Sequence, residues 1–134
     1  MNHYLLLSLL LASAASAAET PHQTLDLYTT EAARRIPGFE PNAGLGEVFF
    51  QRRFAKAPNT PSCVSCHSDN PVKHGRHAAT GHRIGPLAPA SGNERLTDPA
   101  MVEKWLARDC QRVIGRECTA GEKADLLSYL ISPD

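Results

Sequence analysis

The sequence predicts an all-α domain whose own side chains are too few to fill its core. Three observations carry this. Four stretches read as helices, two of them opened by clear capping signals. The 134 residues include only eight aromatics (four Phe, three Tyr, one Trp), and few are β-branched. The pattern C-x-x-C-H stands at Cys63-Val64-Ser65-Cys66-His67.

That pattern is the attachment signature of a c-type haem. Two residues between the cysteines put both sulfurs on one side of a helical turn, where they can add to the two vinyl groups of one porphyrin. His67 then reaches the iron as the proximal axial ligand. A zinc half-site or a redox C-x-x-C would use the cysteines but gives the histidine no reason to follow them. A buried porphyrin would also supply the apolar bulk that the chain lacks.

Residues 1–18 contain no Lys, Arg, Asp or Glu, and Leu5 to Leu11 form a short apolar run before Ala15-Ser16-Ala17. This reads as a secretory signal peptide cleaved after Ala17 or Ala18. It is too short for a membrane anchor, which needs roughly 20 apolar residues. A periplasmic protein, soluble after cleavage, is therefore expected. Haem attachment to such a motif occurs outside the bacterial cytoplasm, where disulfides also persist. The remaining chain suffices for one domain. Its formal net charge of zero offers no basic field for nucleic acid.

The first helix is expected over Thr20 to Ile36, with Leu25, Tyr28, Ala32 and Ile36 on one face and Pro37-Gly38 as the stop. The second is expected over Ala43 to Ala55. Gly46 and Phe50 share a face there, which suits a close crossing with another helix. Ala57 to Ser62 is a loop that delivers the haem turn. Residues 69–89 are broken by Pro and Gly into a long irregular loop that needs a haem face to pack on. In it, His74, His77 and His82 could each reach iron in principle, and Arg76 and Arg83 are candidates for pairing with haem propionates. A backbone carbonyl between Pro86 and Pro89 is the expected acceptor for the His67 Nδ1–H.

Asp98 and Pro99 open a third helix as N-cap and N1. Its apolar stripe runs through Met101, Val102, Trp105 and Leu106 and ends on Asp109. Met101 is read as core packing. A carboxylate at the end of an inward-looking stripe is costly unless partnered. Arg108, Arg112 or Arg116 could pair with it, or it could fray into solvent, or it could face the iron on the distal side. With Cys63 and Cys66 used by haem, Cys110 and Cys118 remain to form a disulfide beside it. The last helix starts with the capping box Thr119-x-x-Glu122 and buries Leu126, Leu127, Leu130 and Ile131. It is the natural partner for the Gly46 helix.

Over about residues 40–132 the chain resembles the small monohaem class I cytochromes c of the cytochrome c″ and SHP (oxygen-binding haem protein) group. The resemblance is carried by Pro61-Ser62-Cys63-x-x-Cys66-His67, Gly85-Pro86-Leu87-Ala88-Pro89, Leu96-Thr97-Asp98 and Val102-Glu103-Lys104-Trp105. It continues through Ile114-Gly115-Arg116-Glu117-Cys118 and Gly121-Glu122-Lys123-Ala124-Asp125-Leu126-Leu127. It implies a class I cytochrome c fold over 43–132, here preceded by an extra N-terminal helix and linker (19–42), with a disulfide after the distal helix. It also implies that the residue before the first disulfide cysteine is the distal haem ligand, histidine in cytochrome c″ and asparagine in SHP. In this chain that residue is Asp109.

Three functions follow as expectations. The first is electron transfer by one covalent haem c with a redox-linked ligand at Asp109, served by a dihaem or membrane-bound cytochrome; this makes the chain an electron carrier more than an enzyme. The second is binding of O2, NO or CO, or oxygen reduction, at the same open site. The third is a haem-free zinc module on Cys63, Cys66, Cys110 and Cys118. No Ser-His-Asp or phosphate-loop pattern suggests hydrolysis.

Overall fold

Two helices cross at a glycine, and the other elements pack around that crossing. The computed structural model describes residues 20–133, so the leader expected over residues 1–18 lies outside the described residues. Helix α2 (Ala43–Gln51) begins where the Asn42 side chain accepts the Leu45 N–H at 2.9 Å. Gly46 is buried against α5 (Ala120–Ile131), where a Cβ would overlap the Asp125 carbonyl and meet the Tyr129 Cβ. One turn on, Phe50 is 1% exposed and lies 5.7 Å from the Tyr129 ring. The Asn42 N–H also donates to Asp125 Oδ1 at 2.8 Å. The crossing expected from Gly46 and Phe50 is therefore present.

Helix α2 is a turn shorter than Ala55 would make it. Arg52 turns extended, and the Phe54 N–H donates to the Pro61 carbonyl at 2.6 Å. The Phe54 ring folds edge-on against Phe49 at 5.9 Å. That tertiary pairing outweighs helix continuation and aims the chain into the haem turn.

Helix α1 (Pro21–Ala33) packs on α5 and opens with a capping box between Thr20 and Gln23. It ends before Ile36, which is 54% exposed. Pro37 disfavours helical backbone in the residue before it, so the last turn unwinds and the stripe stops at Ala32. The buried Thr24 hydroxyl donates to the Leu96 carbonyl at 2.7 Å. This ties α1 to the loop ahead of α4 (Pro99–Val113).

Helix α3 (Val64–His67) is the single turn of the C-x-x-C-H motif, closed by Ser68 in a left-handed conformation. The loop after it is more ordered than its Pro and Gly content suggests. Gly75–Arg76 (β1) and Arg83–Ile84 (β2) pair antiparallel as a small hairpin. Gly75 sits so near α3 that a Cβ would overlap the Cys66 carbonyl and crowd the His67 Cα. Beyond it, a turn of 3₁₀ helix spans Pro89–Ser91.

Helix α4 is capped by Asp98, which accepts the Met101 N–H at 3.1 Å. Val102, Cys110 and Val113 are its buried residues. Met101 is 39% exposed, which corrects its reading as core. The inward stripe runs through Val102, the half-buried Leu106, Cys110 and Val113, and Met101 falls outside it. Cys110 and Cys118 form a disulfide with Cα atoms 5.7 Å apart, as expected. Helix α5 keeps its Thr119/Glu122 capping box and buries Ala124, Leu126, Leu127, Tyr129 and Leu130. Three helices meet at Glu103, which accepts from Tyr28 at 2.8 Å and from Lys123 at 2.8 Å. The fold is all-α apart from the hairpin.

Candidate haem site

Helices α3, α4 and α5 enclose a cavity of about 300 Å³. Helix α3 brings Cys63, Cys66 and His67 to it, and α4 brings Val102, Trp105, Leu106 and Asp109. Leu126, Leu127, Leu130 and Phe50 complete an apolar interior. Neither motif cysteine is in a disulfide. Burial, and then the charge of Asp109, push the Cys63 thiol up to about 12. Burial also lowers His67 below its ordinary value; Asp109 opposes this, while Arg95 and Arg108 add to it. The imidazole is therefore held neutral, the form that ligates a metal.

Asp109 reaches the cavity with 34% of its side chain exposed. Both its oxygens are held by Arg108, Nε to Oδ1 at 2.7 Å and Nη2 to Oδ2 at 2.9 Å. Of the pairings open to it from the sequence, Arg108 is the one realised. Arg116 instead grips Glu122 at 2.6 and 2.8 Å.

The structure sorts the other sequence candidates. His77 lines the cavity and its Nδ1 accepts the Ala79 and Thr80 N–H groups at 3.3 and 3.2 Å. His74 lies outside it, 3.3 Å from the Ile84 carbonyl, and His82 is exposed. Arg76 donates to the Gly81 carbonyl at 3.0 Å, and with Arg83 it lines a separate depression on the hairpin. The arginines on the cavity wall are Arg95, Arg108 and Arg112. The hairpin pairing turns Arg76 and Arg83 away, whereas the Asn93 turn brings Arg95 in, its N–H donating to Asn93 Oδ1 at 3.0 Å. Nothing in the sequence singled out Arg95.

The expected acceptor for His67 is also different. The Asn93 amide takes the Pro86 carbonyl at 3.3 Å and the Ala88 carbonyl at 2.7 Å. His67 Nδ1 is buried without a hydrogen-bond partner among the described residues.

Residues 37–130 match a domain family of unknown function, DUF1924. Cytochrome c-type protein SHP of Cereibacter sphaeroides is 45% identical over 132 residues, 97% of this chain and 98% of the relative. The chain belongs to the cytochrome c″/SHP group. A structure of oxidised SHP, an oxygen-binding cytochrome c, superposes with a TM-score of 0.77 at 41% identity, covering 86% of this chain and 98% of that one. A solution structure of Methylophilus methylotrophus cytochrome c″, reported for insight into haem-ligand detachment, gives 0.73 at 35% identity, covering 84% and 92%.

Membership of this cytochrome group implies haem c as the cofactor, and the residues present fit it. Two thiols and a neutral imidazole lie on one helical turn. The cavity is apolar, and three guanidinium groups on its wall suit carboxylate-bearing propionates.

Proposed function

We propose that the chain is an exported, periplasmic monohaem cytochrome that carries electrons, with Asp109 as a distal ligand that binds or leaves with the redox state. The observation that carries this reading is one cavity shared by Cys63, Cys66, His67 and Asp109. When bound, the haem supplies one-electron redox chemistry and an axial position beyond the histidine. Cys63 and Cys66 would anchor it as thioethers, each S–H adding across a vinyl double bond. His67 would ligate from the proximal side, and Arg95, Arg108 and Arg112 are the arginines placed to meet propionates, in place of Arg76 and Arg83.

Asp109 has two stable uses for its carboxylate. As a hard anionic donor it favours ferric iron over ferrous and lowers the reduction potential. Away from the metal it has a partner in Arg108, which grips both oxygens. A carboxylate with a resting place beside it can leave without being stranded in an apolar cavity. The Cys110–Cys118 disulfide suits an oxidising compartment and supports the exported reading.

A second reading is favoured by a specific observation: the 45% identical relative is an oxygen-binding cytochrome c. Departure of Asp109 would open room for O2, NO or CO, and a dihaem or membrane-bound cytochrome would supply electrons in either case. Absorption and EPR spectra of oxidised and reduced protein, before and after adding CO, test both readings. A change of axial ligation on reduction with CO binding supports the switched ligand. Identical ligation in both states overturns it.

A further inference from the structure

The sequence from 70 to 93 contains no Asp or Glu, yet it holds Lys73, Arg76 and Arg83 together with three histidines. Bounded by Asp69 and Glu94, it is a local excess of positive charge in a chain of zero net charge. The hairpin places it against the haem-attachment turn. Gly75 packs on the Cys66 carbonyl, and the Ala78 N–H points at Cys66 Sγ from 3.3 Å. Between hairpin and turn lies an open depression lined by Ser65, Cys66, Ser68, His74, Arg76 and Arg83. Lys73, Arg76 and Arg83 are exposed and none has a carboxylate partner among the described residues.

We propose that this depression is the docking surface for an acidic redox protein, whose carboxylates seat on Arg76 and Arg83 at the outer side of Cys66. Guanidinium forks recognise carboxylates in pairs. The placement beside Cys66 gives the contact its use: a partner held there stands one cysteine side chain from the attached cofactor. One electron passes, so the partner is oxidised by one and the iron reduced by one. The hairpin has no Phe, Tyr or Trp on which a nucleic-acid base could stack, and the depression is concave, so a protein carboxylate cluster is favoured. The proposal rests on the electron-carrier reading but not on Asp109.

The test uses the haem-loaded chain reduced with dithionite and two one-electron oxidants of opposite charge, ferricyanide and tris(phenanthroline)cobalt(III), in anaerobic stopped flow at several salt concentrations. Arg76→Glu/Arg83→Glu should slow oxidation by ferricyanide by about tenfold at low salt and abolish its salt dependence. The cobalt rate should stay or rise. Arg34→Glu/Arg35→Glu makes the same change in net charge at the far end of α1 and should leave both rates near wild type. Arg76→Gln/Arg83→Gln should fall between, and an unchanged haem spectrum in each variant shows that the fold is intact. A decaglutamate peptide should shift amide resonances of residues 72–84 in wild type only. Equal losses with both oxidants, or peptide shifts outside the hairpin, overturn the docking surface. So would wild type binding phosphatidylglycerol vesicles through the two arginines while ignoring the peptide. If reduced wild type gives its electron to neither oxidant, the electron-carrier reading itself fails; if it gives it to both and the variants change neither rate, only the docking surface does.

Discussion

At the scale of single residues the proposed ligand switch turns on Asp109. Its carboxylate belongs to the same cavity as the haem cysteines yet rests in the grip of Arg108. Asp109→Ala should alter the ferric absorption spectrum and raise the reduction potential, because the anionic donor that favours ferric iron is gone. Asp109→His should give a low-spin ferric spectrum by putting an imidazole in the same place. An unchanged spectrum in Asp109→Ala removes the residue from the iron.

Among the elements, the α2–α5 crossing and the α5 cap govern stability. Gly46→Ala drives a methyl into the backbone of α5, and should cost about 1–3 kcal/mol, the range for overpacked cores. Denaturant melts would show it as a lower midpoint. The Cys110–Cys118 disulfide closes a short loop, so replacing both cysteines by alanine should cost roughly 2–3 kcal/mol in the chain-entropy picture. At the start of α5, the Arg116 guanidinium holds the Glu122 carboxyl below the usual carboxylate range, against partial burial. A carboxyl lowered by folding stabilises above its unfolded value of about 4.3. That stabilisation is lost as pH falls through the lower, folded value. Glu122→Gln should therefore melt slightly lower than wild type at neutral pH, by no more than ~1 kcal/mol because Arg116 is half exposed. The difference should shrink as pH falls below about 4.3 and vanish once Glu122 is protonated in the folded protein too.

For the whole molecule, the cavity matters more than any contact. Left unfilled, it leaves the apolar faces of α4 and α5 to water, at a cost of about 25 cal/mol for each Å² that the cofactor would have buried. Cys63→Ala/Cys66→Ala, which cannot hold the haem covalently, should lose near-UV circular dichroism and cooperative melting while keeping much of its helical signal. A sharp, wild-type-like melt without haem would show that the protein core suffices alone.

Much of the fold was legible in the sequence because local rules govern it. The caps at Asp98 and Thr119, the stop near Pro37, the glycine at 46 and the C-x-x-C-H turn each act within a few residues. Asp109 emerged from helical spacing and from resemblance together. What failed did so where distant contacts decide. Helix α2 ends at Gln51 because Phe54 finds Pro61. Arg76 and Arg83 turn outward because two short strands pair, and Arg95 turns inward because Asn93 folds the loop beneath it. The His67 Nδ1 has no hydrogen-bond partner among the described residues, and the Pro86 and Ala88 carbonyls accept from Asn93 instead. The sequence by itself determined the cofactor chemistry and the helices, since covalent spacing and capping are written in adjacent residues. Only the tertiary structure decided which charges face the cavity, because a side chain's direction in a loop depends on hydrogen bonds to residues far along the chain.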